Sequence, residues 1–211
     1  MTDIERKEKA KQYLVLRNVI GILGCLLPVT SLLGALISPN TKYWDWWTSI
    51  SITYYSTPVL IAILSSVSIF LISYRGYDVW DTIVNTTAGI CGLGVVSFPC
   101  EASWLDESTK VGYFWLPINT TKWFHYAFAA ILFLMLAINS IWLFSKGDNR
   151  IKRLIYKICG YSILVFFVLF GLNATIFNIK QFNMVLETLM LIAFGTSWII
   201  KGHLLDKFLG N

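Results

Sequence analysis

Charge is what this sequence has least of. Only 14% of its 211 residues are Asp, Glu, Lys or Arg, against about 25% in a soluble domain. The apolar share is 56%, and it falls in long blocks, not in the periodic pattern of an amphipathic strand or helix. That profile excludes a water-soluble globule and a disordered chain. Histidine is scarcer still, with His125 and His203 alone. The four cysteines, Cys25, Cys91, Cys100 and Cys159, form no CxxC and no Cys/His cluster, which argues against a zinc or thioredoxin-type site. There is no Walker loop, GxGxxG, kinase set, EF-hand loop or GxSxG elbow, so no cofactor is expected. Gly89-x-x-Gly92-x-Gly94 lies inside an apolar block and reads as a packing feature. The net charge of +5 is local to a few loops, so nucleic acid is not an expected partner.

What is there fits an all-α integral membrane protein, a six-helix bundle forming one domain over residues 1–211. A span needs about 20 mostly apolar residues. Six blocks qualify or nearly do: Val19–Ile37, Thr57–Tyr74, Ile83–Phe98, His125–Phe144, Ile158–Ile176 and Val185–Ile200. The third and sixth are short, so their helices must extend into flanking residues. The first is read as a retained helix, because the preceding residues mix acidic with basic charge and no small-residue cleavage site follows.

Basic residues are divided unequally between the two sets of loops. The segments expected inside carry 13 Lys and Arg and those outside carry 4, namely Lys42, Lys110, Lys122 and Lys180. The positive-inside rule then makes both termini cytoplasmic. Tryptophan has the opposite bias. Trp44, Trp46, Trp47, Trp104, Trp115 and Trp123 are expected outside, and Trp80, Trp142 and Trp198 inside. Such residues belt a membrane interface, or here roof an outer cavity.

Lipid gives no hydrophobic reward for joining helices, so small residues and buried polar groups must do it. The third span has Asn85, Thr86, Thr87, Ala88, Gly89, Gly92 and Gly94, and it is the expected central helix, in a tight hairpin with the second. Ser65, Ser66 and Ser68 of the second span and Asn173 of the fifth join it as packing groups.

Ionisable groups in or beside a membrane are functional candidates. On the outer side these are Asp45, Glu101, His125 and Glu187. With Tyr54 and Tyr55 they are the expected ligand-binding set, converging beneath the Trp-rich loops. On the inner side Arg75, Asp78 and Asp81 make an ion-paired turn, with Asp81 capping the third helix. The two histidines fall on opposite faces, so they cannot share a metal. A Ser–His pair of His125 with Ser49 or Ser51 is the one catalytic arrangement to weigh, and no catalytic residue is assigned.

Four stretches carry a resemblance: SISITYYSTPVLIAILSSVSIFLISYRGYDVWD (49–81), AGICGLGVVSFP (88–99), HYAFAAILFL (125–134) and AFGTSWIIKG (193–202). Together they resemble a family of small bacterial six-helix membrane proteins, similar in broad architecture to the DRAM-type autophagy-modulator group. The resemblance implies a bacterial inner-membrane location and brings no activity with it. Relatives tend to have a His after the Tyr-Tyr pair and then Arg-Asp, whereas here Tyr54-Tyr55 is followed by Ser56-Thr57-Pro58. That departure argues further against an enzyme.

The favoured expectation is a non-enzymatic multi-pass protein whose outer-leaflet cavity binds a membrane lipid or a protein partner. A homo-oligomeric pore or channel, acting as an accessory or effector of a bacterial defence system, is the main alternative. A membrane hydrolase using His125 is the third.

Overall fold

A computed structural model describes residues 3–38, 47–76 and 78–206. It contains six helices: α1 Asp3–Ile37, α2 Val59–Ser73, α3 Val79–Ser97, α4 Ile118–Ile138, α5 Arg150–Leu172 and α6 Phe182–Lys201. α4 and α5 continue through wider π-type turns, Asn139–Leu143 and Asn173–Phe177. A 3-10 turn, Ser51–Tyr55, precedes α2, and β1 (Lys110–Val111) pairs antiparallel with β2 (Leu116–Pro117) before α4.

Five of these helices are long and apolar enough to cross a membrane: Ala10–Ile37, Val79–Ser97, Ile118–Leu143, Arg150–Phe177 and Phe182–Lys201. The chain is therefore a helical membrane protein. The third and sixth helices extend past their apolar blocks, as their shortness required. α2 differs from expectation. Its 15 residues rise about 22 Å at about 1.5 Å each, less than the ~30 Å hydrocarbon layer.

Each helix packs against its neighbour in sequence, and α1 closes on α6 through the broadest contact of all. The result is an up-and-down ring with no central helix among the described residues. α3, expected at the centre, is one wall of the ring between α2 and α4. Its small residues do make the tight hairpin: a Cβ on Gly89 would lie 2.5 Å from the Ser68 carbonyl oxygen, and one on Gly92 would strike the Ser68 hydroxyl. A second close seam joins α1 to α6. A Cβ on Gly21 would lie 2.7 Å from the Ile199 backbone nitrogen, and one on Gly195 would lie 2.7 Å from that of Cys25. Small residues thus bring backbones together where lipid gives no other drive.

Apolar side chains fill the interior, with Ile20, Leu71, Ile163, Met190 and Phe194 at its core. Trp198 was expected at the inner interface. It is instead fully buried (0% exposed), with its ring 5.1 Å from Tyr74 and 5.0 Å from Phe144. A central crevice of about 20 Å³ is lined by Leu27, Leu64, Leu71, Leu132, Leu136 and Phe194 among others. That is room for about one water.

The α1–α6 seam generates a prediction. Gly195→Leu should lower the detergent melting midpoint sharply, since overpacking a core costs typically about 1–3 kcal/mol. Leu134→Ala, on an exposed face of α4, should leave it nearly unchanged. Circular dichroism melts of the two variants make the comparison, and equal tolerance would mean that the seam is not close-packed.

Candidate functional sites at the two ends of the bundle

Glu187 lies near the start of α6 and is only 7% exposed. A carboxylate there must be fully hydrogen-bonded to be tolerated. The segment before α2 supplies the donors. The Ser49 hydroxyl donates to both carboxylate oxygens at 2.8 and 3.0 Å, the Ser51 hydroxyl at 3.3 Å, and the Ile50 backbone N–H donates to the same group. A local turn shapes this cradle, with the Ser51 N–H donating to the Ser49 hydroxyl at 3.1 Å, the bonding that lets serine stand in for a backbone turn. The Met184 N–H donates to the Thr48 carbonyl at 3.1 Å, so the segment is pinned to α6 twice.

Of the other residues expected on the outer side, Tyr55 and Glu101 lie beside Cys100. The Tyr55 hydroxyl donates to the Cys100 carbonyl at 2.7 Å, and the Tyr55 ring packs edge-on to Tyr54 (5.2 Å) and Trp104 (6.0 Å). Glu101 pairs with Lys122 at 2.9 Å and accepts from the Tyr126 hydroxyl at 3.0 Å. Burial foremost, then the Glu187 and Glu101 carboxylates nearby, pushes the Cys100 thiol up. His125 is 4% exposed, and its Nδ1–H donates to the Phe98 carbonyl at 2.8 Å. Asp45 lies outside the described residues. Cys100, the one cysteine that the sequence places near a loop and so within expected reach of an outside thiol reagent, is only 5% exposed.

This geometry does not make a Ser–His pair. Ser49 and Ser51 both spend their hydroxyls on Glu187, and His125 is turned to a backbone carbonyl.

The opposite end holds what sequence reasoning missed. Arg17, Lys152 and Lys201, counted as topology signals, are buried at 5%, 3% and 4% exposure. Arg17 donates to the Tyr74 hydroxyl at 2.8 and 3.0 Å. Lys201 donates to Asp148 at 2.7 Å and to the Phe144 carbonyl at 3.1 Å, and Asp148 also accepts from the Tyr156 hydroxyl. Lys152 pairs with Asp206 at 2.7 Å, and His203 with the same carboxylate at 2.6 Å. Burial works against the Asp206 anion, yet hydrogen bonds from Lys152 and His203 hold its carboxyl below the ordinary range. Nearby, the Asn139 side-chain amide donates to Asn85 Oδ1 at 2.7 Å, and the Asn85 amide donates to the Asp81 carbonyl at 2.7 Å. Helical spacing was the available signal. Arg17 precedes Gly21 by four residues and Lys152 precedes Tyr156 by four, while Lys201 follows Ser197 by four. Each cation therefore shares a stripe with a buried or small residue.

The turn holding Arg75, Asp78 and Asp81 is structural in character. Asp78, not Asp81, is the N-cap of α3. It accepts from the Asp81 N–H at 2.9 Å, and Asp81 returns the bond to the Asp78 N–H at 3.3 Å, a reciprocal capping box. Lys146, 2.9 Å away, and then the Asp81 N–H hold the Asp78 carboxyl below its usual range. Arg75 is exposed.

Among the described residues no cluster of His, Cys, Asp and Glu has a metal-binding arrangement. No family model, curated protein or solved structure matches the chain.

The Glu187 cradle has a chemical readout at Cys100. The raised, buried thiol of the native protein should resist maleimide at pH 8. Glu187→Ala should release the 49–51 segment and accelerate modification many-fold, as mass spectrometry would record. A native Cys100 reacting like a free thiol, or no acceleration in the variant, would contradict the geometry.

Proposed function

We propose that this is a six-span, non-enzymatic protein of the bacterial inner membrane, with cytoplasmic termini, which binds a lipid or a membrane-protein partner at its Glu187 end. One observation carries the reading. Half-buried Tyr54, Tyr55 and Trp104 pack together within the same end of the bundle as the Glu101–Lys122 pair, whose carboxylate is exposed (53%). Aromatic walls with a few placed polar groups are what recognition sites are made of. Meanwhile the groups that a hydrolase needs are engaged in holding the fold.

The sixth crossing is completed by α2 together with the 3-10 turn and Thr57-Pro58 ahead of it, a stretch from Ser51 to Ser73. Orientation follows from the 13-to-4 division of basic residues. A pore would need several copies, since apolar side chains fill the middle of a single ring.

Orientation is tested by cysteine labelling in intact cells. An impermeant maleimide should modify Glu107→Cys at once and Arg150→Cys only after permeabilisation, both positions being exposed. The reverse order would overturn the topology.

The binding role is tested with a benzophenone amino acid at Tyr54, photolysed in cells. A single dominant adduct is expected, reduced about tenfold by Trp104→Ala, the loss of about 1.4 kcal/mol of binding. A diffuse lipid adduct indifferent to Trp104→Ala would contradict the site.

A further inference from the structure

The loop between β1 and β2, residues 112–115, is Gly-Tyr-Phe-Trp and carries no charge. Two of its rings stand outside the protein: Tyr113 is 84% exposed and Trp115 is 68% exposed. Trp115 also has φ +52°, a left-handed backbone that a bulky residue adopts only under strain. In water this loop would be unfavourable twice over, with an apolar ring solvated and a strained backbone holding it there.

The third ring of the loop fixes which way it faces. Phe114 stacks on Phe98 at 5.0 Å, and Phe98 stacks on Phe124 at 4.9 Å and Phe128 at 5.7 Å. Phe124 and Phe128 lie six and ten residues into α4, about 9 and 15 Å down its axis at about 1.5 Å per residue. The continuous span Ile118–Leu143 has 26 residues, about 39 Å, so about 9 Å of it exceeds the ~30 Å hydrocarbon layer. Centred in a bilayer, α4 enters the hydrocarbon near its fourth residue. The Phe98 ring, against Phe124 and Phe128, is then below that boundary, and the loop that rests on it is turned toward the membrane. Trp123, 67% exposed, continues the aromatic surface, and exposed Phe124, Ile131 and Leu134 extend it down α4. The Glu101–Lys122 pair marks the polar level beside it.

We propose that the 112–115 loop is a membrane-dipping anchor that seats Tyr113 and Trp115 in the lipid interface at the Glu187 end of the bundle. The occupant of this surface is the bilayer itself, at the depth where an indole or phenol has an apolar body and a wet edge. The strain at Trp115 is offset by taking its ring out of water. This inference rests on the membrane-spanning reading of α4, but not on the partner-binding role of Tyr54 and Trp104.

The test is nitroxide labelling of Trp115→Cys in full-length protein reconstituted into phosphatidylcholine/phosphatidylglycerol vesicles. Relaxation by oxygen, which concentrates in lipid, is compared with relaxation by a water-soluble nickel chelate. Cys91, Cys100 and Cys159 are buried and Cys25 half-buried, so unsubstituted protein is the labelling blank. Tyr113→Cys is the second probe, should Trp115→Cys fold poorly. Both are expected to show an oxygen-to-nickel ratio several-fold above that of exposed Glu107→Cys and below that of Ile131→Cys, 13 residues into α4 and so near the middle of the hydrocarbon layer. A ratio at 113 and 115 equal to that at 107 would overturn the anchor, leaving the loop in water for a soluble partner. Positions shielded from both reagents would also overturn it, in favour of a covering protein. Nickel contact at Ile131→Cys would sink the membrane reading of α4 and the anchor with it, a failure distinct from the other two.

Discussion

The rest of the structure depends on buried cations that must find partners where there is no water. Arg17, Lys152 and Lys201 enter the bundle at the end where α1 begins and α6 ends. An unpaired charge in such surroundings is prohibitive, and a paired one is tolerated only with good geometry and further hydrogen bonds. Meeting that demand ties the ring together. Arg17 of α1 reaches Tyr74 beyond α2, Lys201 of α6 reaches Asp148 ahead of α5, and Lys152 of α5 reaches Asp206 in the tail. Asn85 of α3 and Asn139 of α4 add their own bond to the same end. α1, α3, α5 and α6, with the turns that follow α2 and α4, thus contribute to one polar layer, while the middle of the ring is apolar and nearly filled.

The Glu187 end solves a smaller version of the same problem. One carboxylate takes up the hydroxyls of Ser49 and Ser51 and the Ile50 amide, and in doing so fixes the segment that carries Tyr54 and Tyr55. Polar side chains at both ends are largely committed to structure. At the Glu187 end, aromatic rings face outward beside exposed Glu101, Asp106 and Glu107: half-buried Tyr54, Tyr55 and Trp104 on the rim, and exposed Tyr113 and Trp115 on the loop. The proposed recognition role rests on that distribution.

The sequence made the helices legible because lipid imposes a length. Blocks of about 20 apolar residues cannot hide, and α1, α3, α4, α5 and α6 each overlap the expected block, although α1, α4 and α5 begin 16, 7 and 8 residues before it. α2 was overestimated because Thr57 and Tyr74 are apolar enough to join the block, although the helix itself runs only from Val59 to Ser73. Glu187 was legible as an intramembrane carboxylate, but nothing local says that Ser49 and Ser51, far away in sequence, would satisfy it. The buried cations were misread for a similar reason. A lysine near a helix end serves equally as a topology signal and as a core residue, and only the four-residue steps to Gly21, Tyr156 and Ser197 tell the two apart. Trp198 was assigned to an interface by residue type, although Tyr74 and Phe144 enclose it.

The buried polar layer as the element that closes the ring is tested most directly by a double-mutant cycle on Lys201 and Asp148. The melting free energies of Lys201→Met, Asp148→Ala and the double variant would be compared in detergent–lipid micelles by reversible unfolding. Each single change should be strongly destabilising, since removing one partner of a buried pair costs about 3–5 kcal/mol. The double variant should recover part of that loss, with a coupling energy between about 0.5 and 3 kcal/mol. Single effects that add to within about 0.5 kcal/mol would mean that the two groups stand independently in water, and the account of a lipid-enclosed, charge-paired bundle end would be wrong.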